Sequence, residues 1–231
     1  MSEKVRNMFA EIANDYDRIN SILSFGVHNA WRRKTVLESG ATAGHRVLDC
    51  ATGTGDLALE FKLTVGHEGY VLGTDFCREM IEHAPDKAEK KELVVEFEVA
   101  DAMNLPYEDD SFDIASIAFG IRNVDDPLVC LREMARVVKP DGKVVVLEFG
   151  QPTGVMKAPF TIYSKYVMPA VGGWISGNRE AYTYLPETSA AFPAGEAFLR
   201  LMKESDSFSG TRAVKLTGGI AYVYIGTVKQ N

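Results

Sequence analysis

The run Val47-Leu48-Asp49-Cys50-Ala51-Thr52-Gly53-Thr54-Gly55-Asp56-Leu57-Ala58 passes from an apolar, strand-like stretch through small residues into a helical pattern. Glycines at 53 and 55 permit positive φ and let a ligand lie against the backbone, while the start of a helix offers free N–H groups. Gly53, Gly55 and Ala58 satisfy the dinucleotide pattern G-x-G-x-x-G/A, with Asp75 about 20 residues further on at the end of the next apolar run. That loop alone does not separate a nicotinamide dinucleotide from S-adenosylmethionine. Asp49 and Asp56 flank it with carboxylates, which repel a pyrophosphate and attract an α-ammonium and a sulfonium, so the charges favour S-adenosylmethionine. Asp75, followed by Phe76, is placed for ribose hydroxyls. Asp101-Ala102, after the third apolar run, is placed for the adenine amino group. The plain alternatives are that Asp56 caps a helix and Asp101 shapes a turn. No Tyr-x-x-x-Lys pair and no second domain support a short dehydrogenase.

The elements that must hold these residues alternate. Apolar runs at 46–50, 70–74, 94–99, 114–119 and 143–149 read as buried parallel strands. Segments of helical period lie between them at 57–64, 78–92 and around Leu131, Met134, Ala135 and Val138. Asp126 and Pro127 open this last helix, and Lys139-Pro140-Asp141-Gly142 mark its end. A helix at 195–203 and runs at 213–217 and 220–228, joined at Gly218-Gly219, close the chain. The pattern predicts an α/β fold: a doubly wound, mostly parallel, seven-stranded sheet with a C-terminal antiparallel hairpin. Residues 1–40 read as a helical cover, with Val5, Phe9, Ile12, Ala13 and Tyr16 on one face and the Arg32-Arg33-Lys34 triplet as a solvated face. Residues 151–186 break the alternation, are rich in aromatics and read as an insertion lining an acceptor pocket or surface groove.

At 231 residues, 46% hydrophobic and 25% charged, the chain suits one globular domain over 1–231. A net charge of −7 argues against nucleic acid as partner. Cys50, Cys77 and Cys130 are widely spaced, which fits reduced thiols in a cytoplasm and no metal site. Without a visible secretory signal or an apolar run of roughly 18 residues, any membrane contact is expected to be peripheral.

Four segments resemble a known family. Tyr16-Asp17-Arg18-Ile19-Asn20-Ser21-Ile22-Leu23-Ser24-Phe25-Gly26-Val27-His28-Asn29-Ala30-Trp31 is similar to the N-terminal signature of the ubiquinone/menaquinone biosynthesis C-methyltransferases. Arg136-Val137-Val138-Lys139-Pro140-Asp141-Gly142-Lys143-Val144-Val145-Val146-Leu147-Glu148-Phe149 is similar to their second signature. Phe119-Gly120-Ile121-Arg122-Asn123-Val124 and Ala181-Tyr182-Thr183-Tyr184-Leu185-Pro186 resemble two further motifs. The resemblance implies a class I, Rossmann-like methyltransferase that uses S-adenosylmethionine to methylate a ring carbon of a prenylated quinol, most readily demethylmenaquinol. It assigns Thr54, Asp75, Asp101 and Ala102 to the cofactor, with Gly53 and Gly55 shaping the loop. Ala118 stands where serine is common, which leaves a backbone contact there. Tyr16, Asn20 and His28 would lie over the cofactor's methionine end, His28 as a general base or as a structural histidine. Arg122 and Asn123 would face the acceptor ring; the competing expectation pairs Arg122 with Asp125 or Asp126. Phe9, Ile22, Leu23, Phe25, Phe160, Tyr163, Tyr166 and Trp174 are available for an apolar tail or for the core. Lys157 and Lys165 could meet an anionic membrane at its inner face, and a homodimer is left open. Another small aromatic or lipid acceptor, or a non-catalytic cofactor-binding subunit, are the alternative readings.

Overall fold

A computed structural model describes residues 3–171 and 179–230. Trp174 lies outside them. Seven strands form one sheet in the order β3-β2-β1-β4-β5-β7-β6: β1 (Arg46–Cys50), β2 (Tyr70–Asp75), β3 (Glu96–Val99), β4 (Phe112–Ala118), β5 (Val138–Phe149), β6 (Phe208–Leu216) and β7 (Ala221–Val228). The first five are parallel; β7 runs antiparallel between β5 and β6. The expected seven-stranded, doubly wound sheet and C-terminal hairpin are therefore present, and the strand order reverses between β1 and β4, where such sheets bind ligands.

The strands read as continuous apolar runs because both faces are covered. Along β5, Val144 and Val146 pack into one core with α7 (Pro127–Arg136) and α10 (Glu196–Glu204). Val145 and Leu147 pack into the other with α3 (Val27–Ser39) and α4 (Asp56–Val65). The N-terminal cover is α1 (Glu3–Ile12), α2 (Tyr16–Leu23) and α3. The 151–186 segment provides α8 (Lys157–Ile162), which continues through a π-helical turn over Tyr163–Val167 as far as 171, and the start of α9 (Arg179–Ala191).

Two expectations need correction. The 78–92 helix is two pieces, α5 (Arg78–Ile81) and α6 (Ala84–Lys90). Pro85 has no N–H to bond the Ile81 carbonyl, and its ring clashes there. Lys139-Pro140-Asp141-Gly142 does not end α7, which stops at Arg136; it falls inside β5. Phe112 pairs with Val138 and Ile114 with Lys143, so these four residues loop out opposite Asp113, with Asp141 at φ 64°. The Asp126 cap is as expected, its carboxylate accepting from Leu128 N (2.8 Å) and Val129 N (3.2 Å). Asp126→Ala is expected to cost about 1 kcal/mol, read as a lower urea midpoint at unchanged m-value.

Candidate functional site

The loop from β1 to α4 is tight. Ala51, Gly53 and Gly55 all take positive φ (48°, 58° and 86°). Asp75, buried at the end of β2, accepts from Gly53 N through one oxygen and from Cys77 N through the other, both at 2.8 Å, and so ties the β1 and β2 loops together. Burial pushes its carboxyl up against those bonds. Gly55 serves packing more than ligand clearance, since a Cβ there would stand 2.9 Å from Ala84 Cβ and 3.1 Å from the Phe97 ring. Asp101 Oδ1 accepts from Met103 N (2.9 Å), so its turn-shaping role is realised, and Ala102 beside it joins the core. Phe76 and Ala118 are half-buried next to Asp75 and at the end of β4.

Asp49 is buried under the loop. Its carboxylate accepts from Ser116 Oγ (2.6 Å) and Thr52 Oγ1 (2.7 Å), yet desolvation pushes it up to about 6. Asp56 behaves differently. It neither caps α4, where Gly55 holds that place, nor stands free to attract a ligand cation. It is bonded to Lys87 and pairs with Arg32 at 3.0 Å, and despite desolvation these cations hold its carboxyl below the usual range. Arg32 is accordingly buried rather than solvated. Lys87 also bonds Asp17 Oδ2 (2.7 Å) and Thr54 Oγ1 (3.0 Å), and Thr54 donates to Asp17 Oδ1 (2.6 Å). The Thr54 side chain thus locks the N-terminal cover onto the glycine loop through α6.

Arg32 also lines a cavity of about 120 Å³. Tyr16, Asn20, His28, Arg122, Tyr163 and Tyr184 line it with Phe9, Leu23, Trp31, Phe119, Phe149 and Phe160. Arg122 is held on three sides: Nη1 donates to Phe119 O (2.6 Å) and Glu148 Oε1 (2.7 Å), and the guanidinium lies 5.4 Å over the Phe149 ring. Its ion-pair partner is Glu148 on β5, while the Asp126 carboxylate caps α7. The side chains of this pair are 4% and 1% exposed, and burial pushes the Glu148 carboxyl up. Arg122 Nε and Glu148 Oε2 have no protein partner, which leaves hydrogen-bonding capacity at the pair unspent. Asn123 does not line the cavity itself; its Oδ1 accepts from the Tyr184 hydroxyl (3.1 Å), which does.

His28 is buried, and its Nδ1 meets Ser24 Oγ, which also donates to Asn20 O (2.6 Å). Desolvation, with Arg32 nearby, lowers its pKa to about 4, so the ring is neutral at neutral pH. Burial raises the Tyr16 hydroxyl, which stays protonated. The predicted residues therefore fall into two groups: the loop set of Asp49, Gly53, Thr54, Gly55, Asp75, Phe76, Asp101, Ala102 and Ala118, and the cavity set of Tyr16, His28, Arg122 and, through Tyr184, Asn123. Of the tail candidates, Phe9, Leu23, Phe160 and Tyr163 line the cavity; Ile22, Phe25 and Tyr166 are exposed. Glu148 was not singled out from the sequence, although a carboxylate ending the run Val144-Val145-Val146-Leu147 is itself a signal that a cation must meet it. No cluster of three or more metal-ligating side chains occurs among the described residues.

Over nearly its whole length the chain is similar to known proteins. The model of the ubiE/COQ5 methyltransferase family matches residues 1–228. The ubiquinone/menaquinone biosynthesis C-methyltransferase UbiE of Bdellovibrio bacteriovorus is 57% identical over 228 residues, 98% of this chain and 97% of that one. The demethylmenaquinone methyltransferase of Deinococcus radiodurans is 44% identical over 97% of this chain and 92% of that one. Among solved structures, SAM-dependent methyltransferases from Thermotoga maritima (TM-score 0.68, 21% identity, 96% and 98% of the two chains) and Aquifex aeolicus (0.56, 22%, 85% and 89%) share the fold. The matched segments include the loop, the Arg122 segment and the Glu148 strand end, and the chain belongs to the ubiE/COQ5 methyltransferase family.

Proposed function

We propose that the protein transfers a methyl group from S-adenosylmethionine to a ring carbon of a prenylated quinol, demethylmenaquinol being the favoured acceptor. The observation that carries this reading is a buried, fixed guanidinium in an aromatic-lined cavity beside a glycine loop at the switch point of the sheet. The names of the relatives point the same way. The donor fits the residues present. Asp49 is a carboxylate whose pKa burial raises, and an α-ammonium beside it would favour its charged form. Asp75 keeps a carboxylate at the end of β2, and Asp101 follows β3.

When bound, S-adenosylmethionine supplies an electrophilic methyl on a sulfonium. The acceptor must be the reduced ring, because only an electron-rich carbon attacks that methyl and the ring hydrogen then leaves as a proton. Arg122 stabilises the phenolate charge that develops on the adjacent ring oxygen; a guanidinium stays protonated at neutral pH and is suited to this role. His28, with a pKa near 4, is too weak to take and hold a proton from a hydroxyl of phenolic acidity near 10. It orients the acceptor as a neutral ring, and the proton passes to water. Tyr184, fixed by Asn123, closes the cavity beside Arg122. Contact with the inner face of a membrane, from which a prenylated acceptor is drawn, is part of the same proposal.

Donor affinity is expected to depend on pH in a defined direction. A bound cation favours the Asp49 carboxylate, so binding takes hold as that group ionises near pH 6 and levels off above it. Affinity at pH 5 should be about tenfold weaker than at pH 7, and Asp49→Asn should flatten the profile at the weaker level, as measured by titration calorimetry. Turnover separates an enzyme from a cofactor-binding subunit: anaerobic incubation with a chemically reduced short-tail demethylnaphthoquinol should yield methylated product, and the oxidised quinone none. Donor binding without product from any quinol would favour the non-catalytic reading.

A further inference from the structure

We infer that the helix formed by α8 and its continuation to 171 is a docking face for an anionic lipid bilayer, through which the acceptor reaches the cavity; the proposal rests on the quinol reading above. A surface helix ordinarily has one apolar stripe. This one is apolar on both sides. Its inner side roofs two adjoining cavities: Phe160 and Met168 line both the one beside Arg122 and a second of about 460 Å³, which runs beneath 149–154 and the end of α9. Its outer side carries Val155, Ile162, Tyr166 and Val167, exposed at 91%, 59%, 61% and 39%.

The turn between α2 and α3 extends the same face. The Tyr163 hydroxyl donates to Leu23 O, and the Tyr163 and Phe25 rings stand 6.3 Å apart. Phe25 is 83% exposed and holds a left-handed backbone at φ 50°. An aromatic residue that is both strained and bared to water is costly unless its surface is used. Ile22, 42% exposed, continues the patch.

Charge selects the occupant. The chain carries −7 overall, yet residues 151–171 hold Lys157 and Lys165 and no carboxylate, and 18–37 hold no carboxylate and bare Arg18 and Arg33, while Arg32 turns inward to Asp56 and Lys34 pairs with Glu38. An apolar patch edged by cations on an acidic protein matches an anionic bilayer, which takes the side chains into its interface and the lysines against its headgroups. No described helix is long and apolar enough to cross a membrane, so the contact lies on the surface.

Sedimentation with vesicles of phosphatidylcholine containing about 30% phosphatidylglycerol tests this. The chain should sediment with these vesicles, less so with pure phosphatidylcholine and less so at high salt. Ile162→Glu with Lys165→Glu, neither of which lines a cavity, should lower partitioning by about tenfold or more. The same variant should keep its turnover of a water-soluble short-tail quinol and lose turnover of a long-tail quinol presented in vesicles. A variant that sediments like the parent, or a parent that ignores the vesicles, overturns the proposal. So does a self-associated parent that the substitutions dissociate, which would make this face an interface between two copies. Failure to methylate any quinol would strike the functional reading alone, because sedimentation reports docking without turnover.

Discussion

Arg122→Lys should lower kcat by roughly 100- to 1,000-fold while leaving donor affinity within about twofold of the parent. Lysine keeps the charge but loses the planar fork that reaches Phe119 O and Glu148 Oε1 together, so its ammonium cannot sit where the guanidinium sits. Truncation would confuse two effects. Arg122→Met leaves the Glu148 carboxylate, 1% exposed, without its cation, at a cost of about 3–5 kcal/mol. Replacing both partners, Arg122→Met with Glu148→Leu, removes the stranded charge, and such exchanges are commonly neutral or stabilising. The double variant should therefore recover the denaturation midpoint and remain as slow as the single one. Turnover recovered along with stability would mean that Arg122 only fastens Phe119 and β5.

Asp75→Ala should raise the donor dissociation constant by about 100-fold or more, measured by calorimetry, since two hydrogen bonds from a ribose diol to a carboxylate contribute about 1.5–3 kcal/mol each. Part of the loss would come from the loop. Gly53 N and Cys77 N both lose their acceptor, and nothing else in the β2 loop replaces it. Asp75→Asn separates the contributions: an amide oxygen still serves one N–H, but its NH₂ faces the other. This variant should bind more tightly than Asp75→Ala and more weakly than the parent. Thr54→Val, by comparison, should disturb the anchoring of Asp17 and the N-terminal cover more than donor binding, because its hydroxyl is already committed.

The sheet was readable from the chain because burial on both faces forces unbroken runs such as Val144 to Leu147, and a glycine loop between the first run and a helix fixes the ligand end. Boundaries governed by one residue were less readable. Pro85 divides the second helix at a point that the apolar period does not mark. Lys139 to Gly142 carry turn chemistry that the structure spends on an excursion opposite Asp113 instead of a helix end. Side-chain pairing was least readable, since it depends on contacts distant in sequence. Arg32 belongs to a run of three cations that looks solvated, yet it turns inward to Asp56, 24 positions away along the chain. Glu148 meets Arg122 across neighbouring strand ends, although Asp125 and Asp126 are nearer in sequence. The Ser24–His28 contact, four residues apart on consecutive helical turns, was within reach of spacing alone.

The reaction itself is methyl transfer to the reduced ring. Its most direct measurement is transfer of label from methyl-labelled S-adenosylmethionine to chemically reduced short-tail demethylnaphthoquinol and, in parallel, to the matching benzoquinol precursor, with product resolved by mass. Label is expected on the ring carbon of the naphthoquinol, abolished by leaving the ring oxidised and strongly slowed by Arg122→Lys. Absence of label from both reduced acceptors, with donor binding intact by calorimetry, would contradict that reaction.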